Sequence, residues 1–197
     1  MFKNKFFAPF VLLAFILFAA STVFFYQQSL KHQVPLPILG EVANFELTDT
    51  NRQPFGSKNL NGKIWIADFV FTTCGSICPI MTNYLSALQR TYDLVEGVEF
   101  VSVSVNPEND SPEVLKSFAQ KYKANLNKWH FLTGSRQDIT DLAVKSFKLG
   151  SVDEPIFHSD KFALVDRRQK IRGYYQGTNK IEINKLFMDI SQLLKEK

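Results

Sequence analysis

Two cysteines, Cys74 and Cys78, are the residues of this chain whose type and spacing point most directly to chemistry. They are its only cysteines, and they stand four positions apart, where an apolar strand pattern gives way to a helical one that Pro79 suits as a first turn. A thiol near a helix N-terminus feels the positive end of the helix dipole, which favours the thiolate. Because thiolates attack disulfides and bind soft metal ions, the pair predicts redox or metal chemistry.

The spacing of the pair leaves more than one interpretation open. Residues four apart in a turn can reach bridging distance, so a structural disulfide is possible, although such a small loop removes little chain entropy. The common redox motif has two intervening residues, whereas this pair has three. Two thiolates alone satisfy a linear copper(I) site, and an imidazole would complete a trigonal one. A closed zinc site usually takes four protein ligands, which two cysteines do not favour.

Three histidines could supply the imidazole. His32 stands beside Lys31 in a polar stretch and is expected to be solvated. His130 falls in a short strand pattern, where a half-buried strand histidine is the simpler interpretation. His158 stands at the start of a predicted hairpin, and the loop before that strand is expected to return beside the first strand-to-helix turn. The residues alone leave His158 open between a metal ligand and a loop histidine.

The elements that position these side chains follow from hydrophobic periodicity. The continuous apolar run Lys63–Phe71 predicts a strand buried on both faces, and the helical pattern after Pro79 carries its apolar residues on one face: Met81, Leu85, Leu88 and Tyr92. A hairpin is predicted from Val42. The later pattern predicts four strands: Val98–Val105, Trp129–Leu132, Ile156–Val165 and Ile171–Tyr175. It also predicts three helices: Pro112–Tyr122, Arg136–Leu149 and a last one through Ile183 and Leu193. Asp110, Ser111 and Glu113 indicate a helix cap rather than a catalytic group.

The order of these elements predicts the fold class. Strands that alternate with helices of crossover length pair in parallel, and the late hairpin adds antiparallel strands. The chain is therefore expected to be an α/β protein with a mixed sheet and helices on both sides.

The first thirty residues differ in composition from the rest. Lys3 and Lys5 precede an uncharged, mostly apolar stretch, Phe6–Leu30, which has the length of a membrane-spanning helix. Cationic residues on the N-terminal flank predict that this end stays inside and that the main domain lies outside the cytoplasm. The sequence thus predicts a membrane anchor over residues 1–30, a tether over 31–41 and one folded domain over 42–197.

The charge pattern argues against nucleic acid as a partner. The formal net charge is +4, and the basic residues are scattered along the chain. No long lysine or arginine block is present that would follow a phosphate backbone.

Four motifs in order along the chain resemble the Sco/SenC family. They are Phe71-Thr72-Thr73-Cys74-Gly75-Ser76-Ile77-Cys78-Pro79, then Val101 to Pro112, then Phe131-Leu132-Thr133-Gly134, then His158 with Leu164-Val165-Asp166. The resemblance runs from about Val42 to the C-terminus. It implies a thioredoxin-like fold, of the type shared with peroxiredoxins, and an N-terminal transmembrane helix.

The resemblance also implies a function. Members of the family serve assembly of the binuclear copper site of cytochrome c oxidase, so Cys74, Cys78 and His158 would be the ligands of a copper ion. The expected partner is the copper-bearing subunit of that oxidase, and the role of metallochaperone does not require catalytic turnover.

Two enzymatic alternatives remain beside the metallochaperone. Cys74 and Cys78 could be the redox pair of a thiol-disulfide oxidoreductase that reduces the cysteines of the copper acceptor. A peroxidase on the same fold would need an activating group, commonly arginine, near its thiolate, and no arginine lies close to Cys74 in sequence.

Overall fold

A computed structural model describes residues 7–31, 34–149 and 159–196. The chain divides into two compact units, Met1–Pro35 and Leu36–Lys197. The first unit contains helix α1, Phe7–Lys31. A search of the described residues finds no helix with both the length and the apolar character needed to cross a membrane. The transmembrane helix predicted within residues 1–30 is therefore not confirmed.

The second unit is an eight-stranded sheet with helices on its faces. The strands are β1 Gly40–Glu41, β2 Glu46–Asp49, β3 Pro54–Gly56, β4 Ile64–Val70, β5 Val98–Ser104, β6 Trp129–Thr133, β7 Lys161–Val165 and β8 Lys170–Gln176. The helices are α2 Cys78–Tyr92, α3 Pro112–Lys121, α4 Arg136–Thr140 and α5 Lys180–Lys195, and a π-helical segment, Asp141–Ser146, continues α4.

The strand order β1-β8-β7-β4-β5-β6-β2-β3 places β4 near the middle of the sheet. Strand β4 pairs in parallel with β5, and β5 pairs in parallel with β6. The other pairs are antiparallel, including β4 with β7 and β7 with β8. The sheet is therefore mixed, as the order of elements predicted, and β4 delivers the cysteine loop at the carboxyl end of the parallel strands.

Alternation along β4 sends its side chains into two separate cores. Ile64 and Ile66 pack with the buried faces of α2, α3 and α5 on one side of the sheet. Trp65, Ala67 and Phe69 pack on the other side, where Phe147 lies edge-on to both Trp65 and Phe69. Because both faces are covered, every residue of β4 is buried.

Two segments differ from the sequence-based expectation. Residues Gly40 and Glu41, placed in the tether by the sequence, pair with β8, and the next residue, Val42, is buried. The helix predicted over Arg136–Leu149 is α-helical only to Thr140, and the wider π turn then lets both Leu142 and Ala143 face the core. The start of the strand predicted from Ile156 lies outside the described residues, and β7 begins at Lys161.

Candidate metal centre

The cysteine loop joins the end of β4 to the start of α2. The N–H of Cys74 donates to the carbonyl of Phe71 at 3.2 Å, which turns the chain back over the end of the strand. Cys78 is the first residue of α2, and Pro79 occupies the first turn, where its missing N–H costs no helical hydrogen bond. The structure thus places both thiols at the N-terminal end of one helix.

Both cysteines are unbridged and nearly inaccessible to solvent. Cys74 is 8% exposed and Cys78 is 4% exposed. The Cys74 sulfur lies 3.7 Å from the hydroxyl oxygen of Ser76. Gly75 and Ser76, between the cysteines, are exposed. A dry pair of sulfurs under a short exposed loop suits a soft ion better than a hydrated, hard one.

The surroundings give the two thiols opposite acidities. Burial alone would raise the pKa of Cys74, but hydrogen bonds to its sulfur outweigh burial and lower the pKa to about 7. The donors are the Cys78 thiol, the backbone N–H groups of Ser76 and Cys78, and the Ser76 hydroxyl. Burial, together with the hydrogen bond to Cys74, raises the pKa of Cys78 to about 12. Cys74 is therefore the thiol that ionises first and attacks or binds first.

A buried carboxyl group, Asp68, acts on the Cys78 side of the site. Asp68 lies on the face of β4 that packs under α2, and it is fully buried. Its Oδ1 accepts a hydrogen bond of 2.5 Å from Ser102, whereas Oδ2 has no partner among the described residues. Burial raises the pKa of Asp68 to about 7, against the lowering effect of Ser102. Its negative charge disfavours the Cys78 thiolate.

A second buried carboxyl group, Asp110, ties the cysteine loop to the end of β5. It accepts hydrogen bonds from the Thr72 N–H at 3.1 Å, from the Thr72 hydroxyl at 2.5 Å and from the Ser104 hydroxyl at 2.6 Å. The cap of α3 is Ser111, whose hydroxyl oxygen accepts from the Val114 N–H. The predicted capping role is thus confirmed for Ser111 and wrong for Asp110.

Sequence reasoning missed Asp68 and Asp110 as parts of the site. Asp68 stands inside the run Lys63–Phe71, whose apolar pattern predicts a strand buried on both faces, and an acidic residue within such a strand is the signal that could have found it. Asp110 had no comparable local signal, because its partner Thr72 is far away in sequence.

The histidines have different outcomes. His158, predicted as the third ligand, lies outside the described residues, as does His32. His130 behaves as the strand histidine expected: its ring stacks on Phe55 with centroids 4.1 Å apart, and its Nε2 lies 3.1 Å from Glu99. Over the described ranges, with 150–158 excluded, no group of three or more Cys, His, Asp or Glu side chains is arranged to hold a metal ion.

Comparisons with known proteins match the folded unit. A family model described as SCO1/SenC matches residues 39–195. A solved SCO1/SenC family lipoprotein from Bacillus anthracis is 33% identical, with a TM-score of 0.74, and the match covers 82% of this chain and all of that chain. The similarity extends over the sheet, the cysteine loop and the flanking helices, so the fold is thioredoxin-like.

Two further solved structures carry functional descriptions of their own. BsSco is described as having a disulfide switch and as a member of the Sco family of cytochrome c oxidase assembly proteins. It is 34% identical to this chain, with a TM-score of 0.73, and the match covers 84% of this chain and all of that chain. Yeast Sco1 with copper bound is 25% identical, with a TM-score of 0.62 and coverage of 82% and 96%.

Proposed function

Because this chain belongs to the SCO1/SenC family, we propose that it is a copper metallochaperone whose Cys74, Cys78 and His158 hold the ion. The observation that carries the proposal is the pair of unbridged, nearly inaccessible sulfurs at the start of α2. Two thiolates and an imidazole form a soft trigonal site that favours copper(I). The copper-bound yeast relative supports the same cargo.

The acidities of the thiols support a stepwise loading and release. Cys74, with its pKa near neutrality, offers a thiolate to the incoming ion. Cys78 is protonated when metal-free and gives up its proton as the ion binds, because metal ligands must be deprotonated. The ion then leaves by exchange with the thiolates of an acceptor, one sulfur at a time.

The acceptor proposed is the copper-bearing subunit of cytochrome c oxidase, at its binuclear site. This choice is supported by BsSco, which is described as belonging to a family of cytochrome c oxidase assembly proteins. Purified acceptor protein mixed with the copper-loaded chain should gain the ion, and the chain should lose an equal amount. If copper stays on this chain while free thiols of the acceptor are available, the delivery role is wrong.

Copper(I) titration of the reduced full chain under anaerobic conditions tests the ligand set. Wild type should bind one ion per chain, Cys74→Ser and Cys78→Ser should lose binding, and His158→Ala should weaken it. His32→Ala is the matched control and should bind like wild type. Absence of copper uptake by wild type would exclude the metallochaperone.

A second function, thiol-disulfide exchange with the acceptor, is favoured by the lowered pKa of Cys74 and by the disulfide switch described for BsSco. Exchange needs only the two cysteines. His158→Ala should therefore retain reduction of a disulfide peptide while losing copper affinity. The opposite pattern, lost exchange with copper binding intact, would make oxidoreductase the better assignment.

The site does not favour the peroxidase alternative. The groups that lower the pKa of Cys74 are Cys78 and Ser76, with no arginine among them. A peroxidatic thiolate commonly uses such a cation for activation. Consumption of hydrogen peroxide by the reduced chain should therefore not exceed that of a free thiol, and a faster reaction would reverse this conclusion.

The anchoring of the domain outside the cytoplasm also belongs to the proposal. It is supported by the apolar stretch Phe6–Leu30 behind Lys3 and Lys5, and by the description of the Bacillus anthracis relative as a lipoprotein. Neither cysteine of this chain lies in that stretch, so attachment there would depend on the apolar residues. Full-length protein should stay with membranes after carbonate extraction, and a variant without residues 1–30 should not. Release of the full chain by carbonate would contradict the anchor.

A further inference from the structure

The buried carboxylate of Asp110 is connected to Cys74 through one peptide group. Its Oδ2 accepts the Thr72 N–H, and its Oδ1 accepts the Thr72 hydroxyl. The Thr72 N–H and the Phe71 carbonyl belong to the same planar peptide unit, so the direction of one fixes the direction of the other. That carbonyl accepts the hydrogen bond from the Cys74 N–H. Asp110 thereby sets the orientation of the group that holds Cys74.

The next peptide group toward β4 serves Cys78. The backbone N–H of Phe71 donates a hydrogen bond to the Cys78 sulfur. Phe71 thus contacts both cysteines: its N–H donates to the Cys78 sulfur, and its carbonyl accepts from the Cys74 N–H. The Phe71–Thr72 peptide that Asp110 holds is therefore adjacent to the peptide that contacts the Cys78 sulfur, and a rotation of it would disturb the contact with the Cys74 amide.

Asp110 is itself held on a rigid base. Its third hydrogen bond comes from Ser104, the last residue of β5, and the Val105 N–H bonds the Val70 carbonyl at 2.8 Å across the same end of the sheet. The side chain is 0% exposed. A carboxylate with no solvent exposure and three accepted hydrogen bonds is suited to fix a loop rather than to bind an ion.

We infer that Asp110 is a positioning residue for the dithiol, which holds the Phe71–Thr72 peptide so that Cys74 keeps its place beside Cys78. The inference rests on the proposed function in taking the dithiol as the working site. Groups that orient metal ligands typically contribute ten- to a hundredfold to affinity. The effect of Asp110 is expected within this range.

The chemistry of the three bonds gives a test that a general loss of stability would not reproduce. In Asp110→Asn the amide oxygen can take the place of Oδ2 and accept from the Thr72 N–H and Ser104. The amide NH2 then faces the Thr72 hydroxyl, which can turn and accept. Asp110→Ala keeps none of these contacts. Positioning by hydrogen bonds therefore predicts rescue by Asn.

The first measurement is copper(I) affinity of the full chain, by competition with a chromophoric chelator, at a temperature where near-ultraviolet circular dichroism shows each variant folded. Asp110→Ala should bind about tenfold or more weakly. Asp110→Asn should stay within about threefold of wild type, since the oriented peptide is preserved. The control Ser117→Ala, at an exposed position of α3, should bind like wild type. Wild-type affinity in folded Asp110→Ala, or an equal loss in Asp110→Asn, would overturn the inference.

The second measurement separates this inference from the proposed copper function. The exchange equilibrium of the Cys74–Cys78 pair with glutathione involves no metal. Loss of the backbone contact that holds Cys74 in its reduced position should shift it toward the disulfide by about tenfold in Asp110→Ala but not in Asp110→Asn. If wild type binds no copper, the metallochaperone proposal fails, and this equilibrium alone decides the role of Asp110. An unshifted equilibrium in Asp110→Ala would then contradict it.

Discussion

Cys74 and Cys78 share one loop but have opposite ionisation behaviour, and the difference arises from neighbours that differ for each sulfur. Cys74 receives hydrogen bonds from Cys78 and Ser76, whereas Cys78 is more deeply buried and is disfavoured as a thiolate by the charge of Asp68. The sequence predicted a thiolate at the helix start, but it could not assign it to one cysteine. That assignment depends on burial and on contacts of a few ångströms.

The pH dependence of alkylation tests this asymmetry. The rate at which iodoacetamide modifies the reduced, metal-free chain should rise with pH through a midpoint near 7, because the thiolate of Cys74 is the nucleophile. Cys78→Ala removes the thiol that donates to Cys74 and should move the midpoint upward. Ser76→Ala, the control, removes a weaker contact and should move it less. A wild-type midpoint at the ordinary thiol pKa of about 8.5 would contradict the assignment.

Asp68 predicts a fall in stability as pH rises. Burial raises its folded-state pKa from the ordinary value of 3.8 to about 7, so folded protein binds the proton more tightly than unfolded protein does. The contribution to stability is complete below about pH 4 and is lost as pH rises through 7. The free energy of unfolding, measured in urea, should therefore rise in Asp68→Asn relative to wild type as the pH increases, by up to roughly 4 kcal/mol at pH 8.

Asp141, an exposed carboxylate, provides the control for this measurement. Its pKa is lowered by the hydrogen bond from Lys145, so Asp141→Asn should show no gain in stability at high pH. If the free energy of unfolding depends on pH in the same way in Asp68→Asn and in wild type, the pKa of Asp68 is not raised by burial and the prediction is wrong.

At the level of elements, most of the fold could be predicted because the periodic patterns are strong. Strand β4, strand β5 and helix α2 lie where continuous or one-sided apolar patterns placed them. The π turn after Thr140 was not predictable, because its hydrogen bonds depend on how Phe147 and Leu149 pack. The pairing of Gly40–Glu41 with β8 was missed for a related reason, since a two-residue edge strand has no pattern of its own.

The cap of α3 supplies a prediction at the element level. Ser111→Ala removes the acceptor for the Val114 N–H and should lower the free energy of unfolding by about 1 kcal/mol. Ser117→Ala, an exposed position of the same helix, should be neutral or slightly stabilising, because alanine is the better helix former. Urea unfolding of both variants measures the difference. Equal stabilities would show that the Ser111 cap contributes nothing.

On the scale of the whole molecule, the central claim is that folding brings one late imidazole to two early sulfurs. The topology supports it: β7 pairs antiparallel with β4, so the chain returns at Lys161, the start of β7, beside the end of β4 from which the cysteine loop leaves. The sequence predicted that return from the order of elements. It could not give the distance between the His158 ring and the sulfurs, because a loop conformation depends on contacts that no periodic pattern encodes.

X-ray absorption at the copper edge of the copper(I)-loaded full chain tests that claim most directly. The wild-type spectrum should fit two sulfur ligands and one nitrogen ligand, and the nitrogen should disappear in His158→Ala while both sulfurs remain. A wild-type ion with fewer than two sulfurs, or a nitrogen shell that His158→Ala leaves unchanged, would contradict the site.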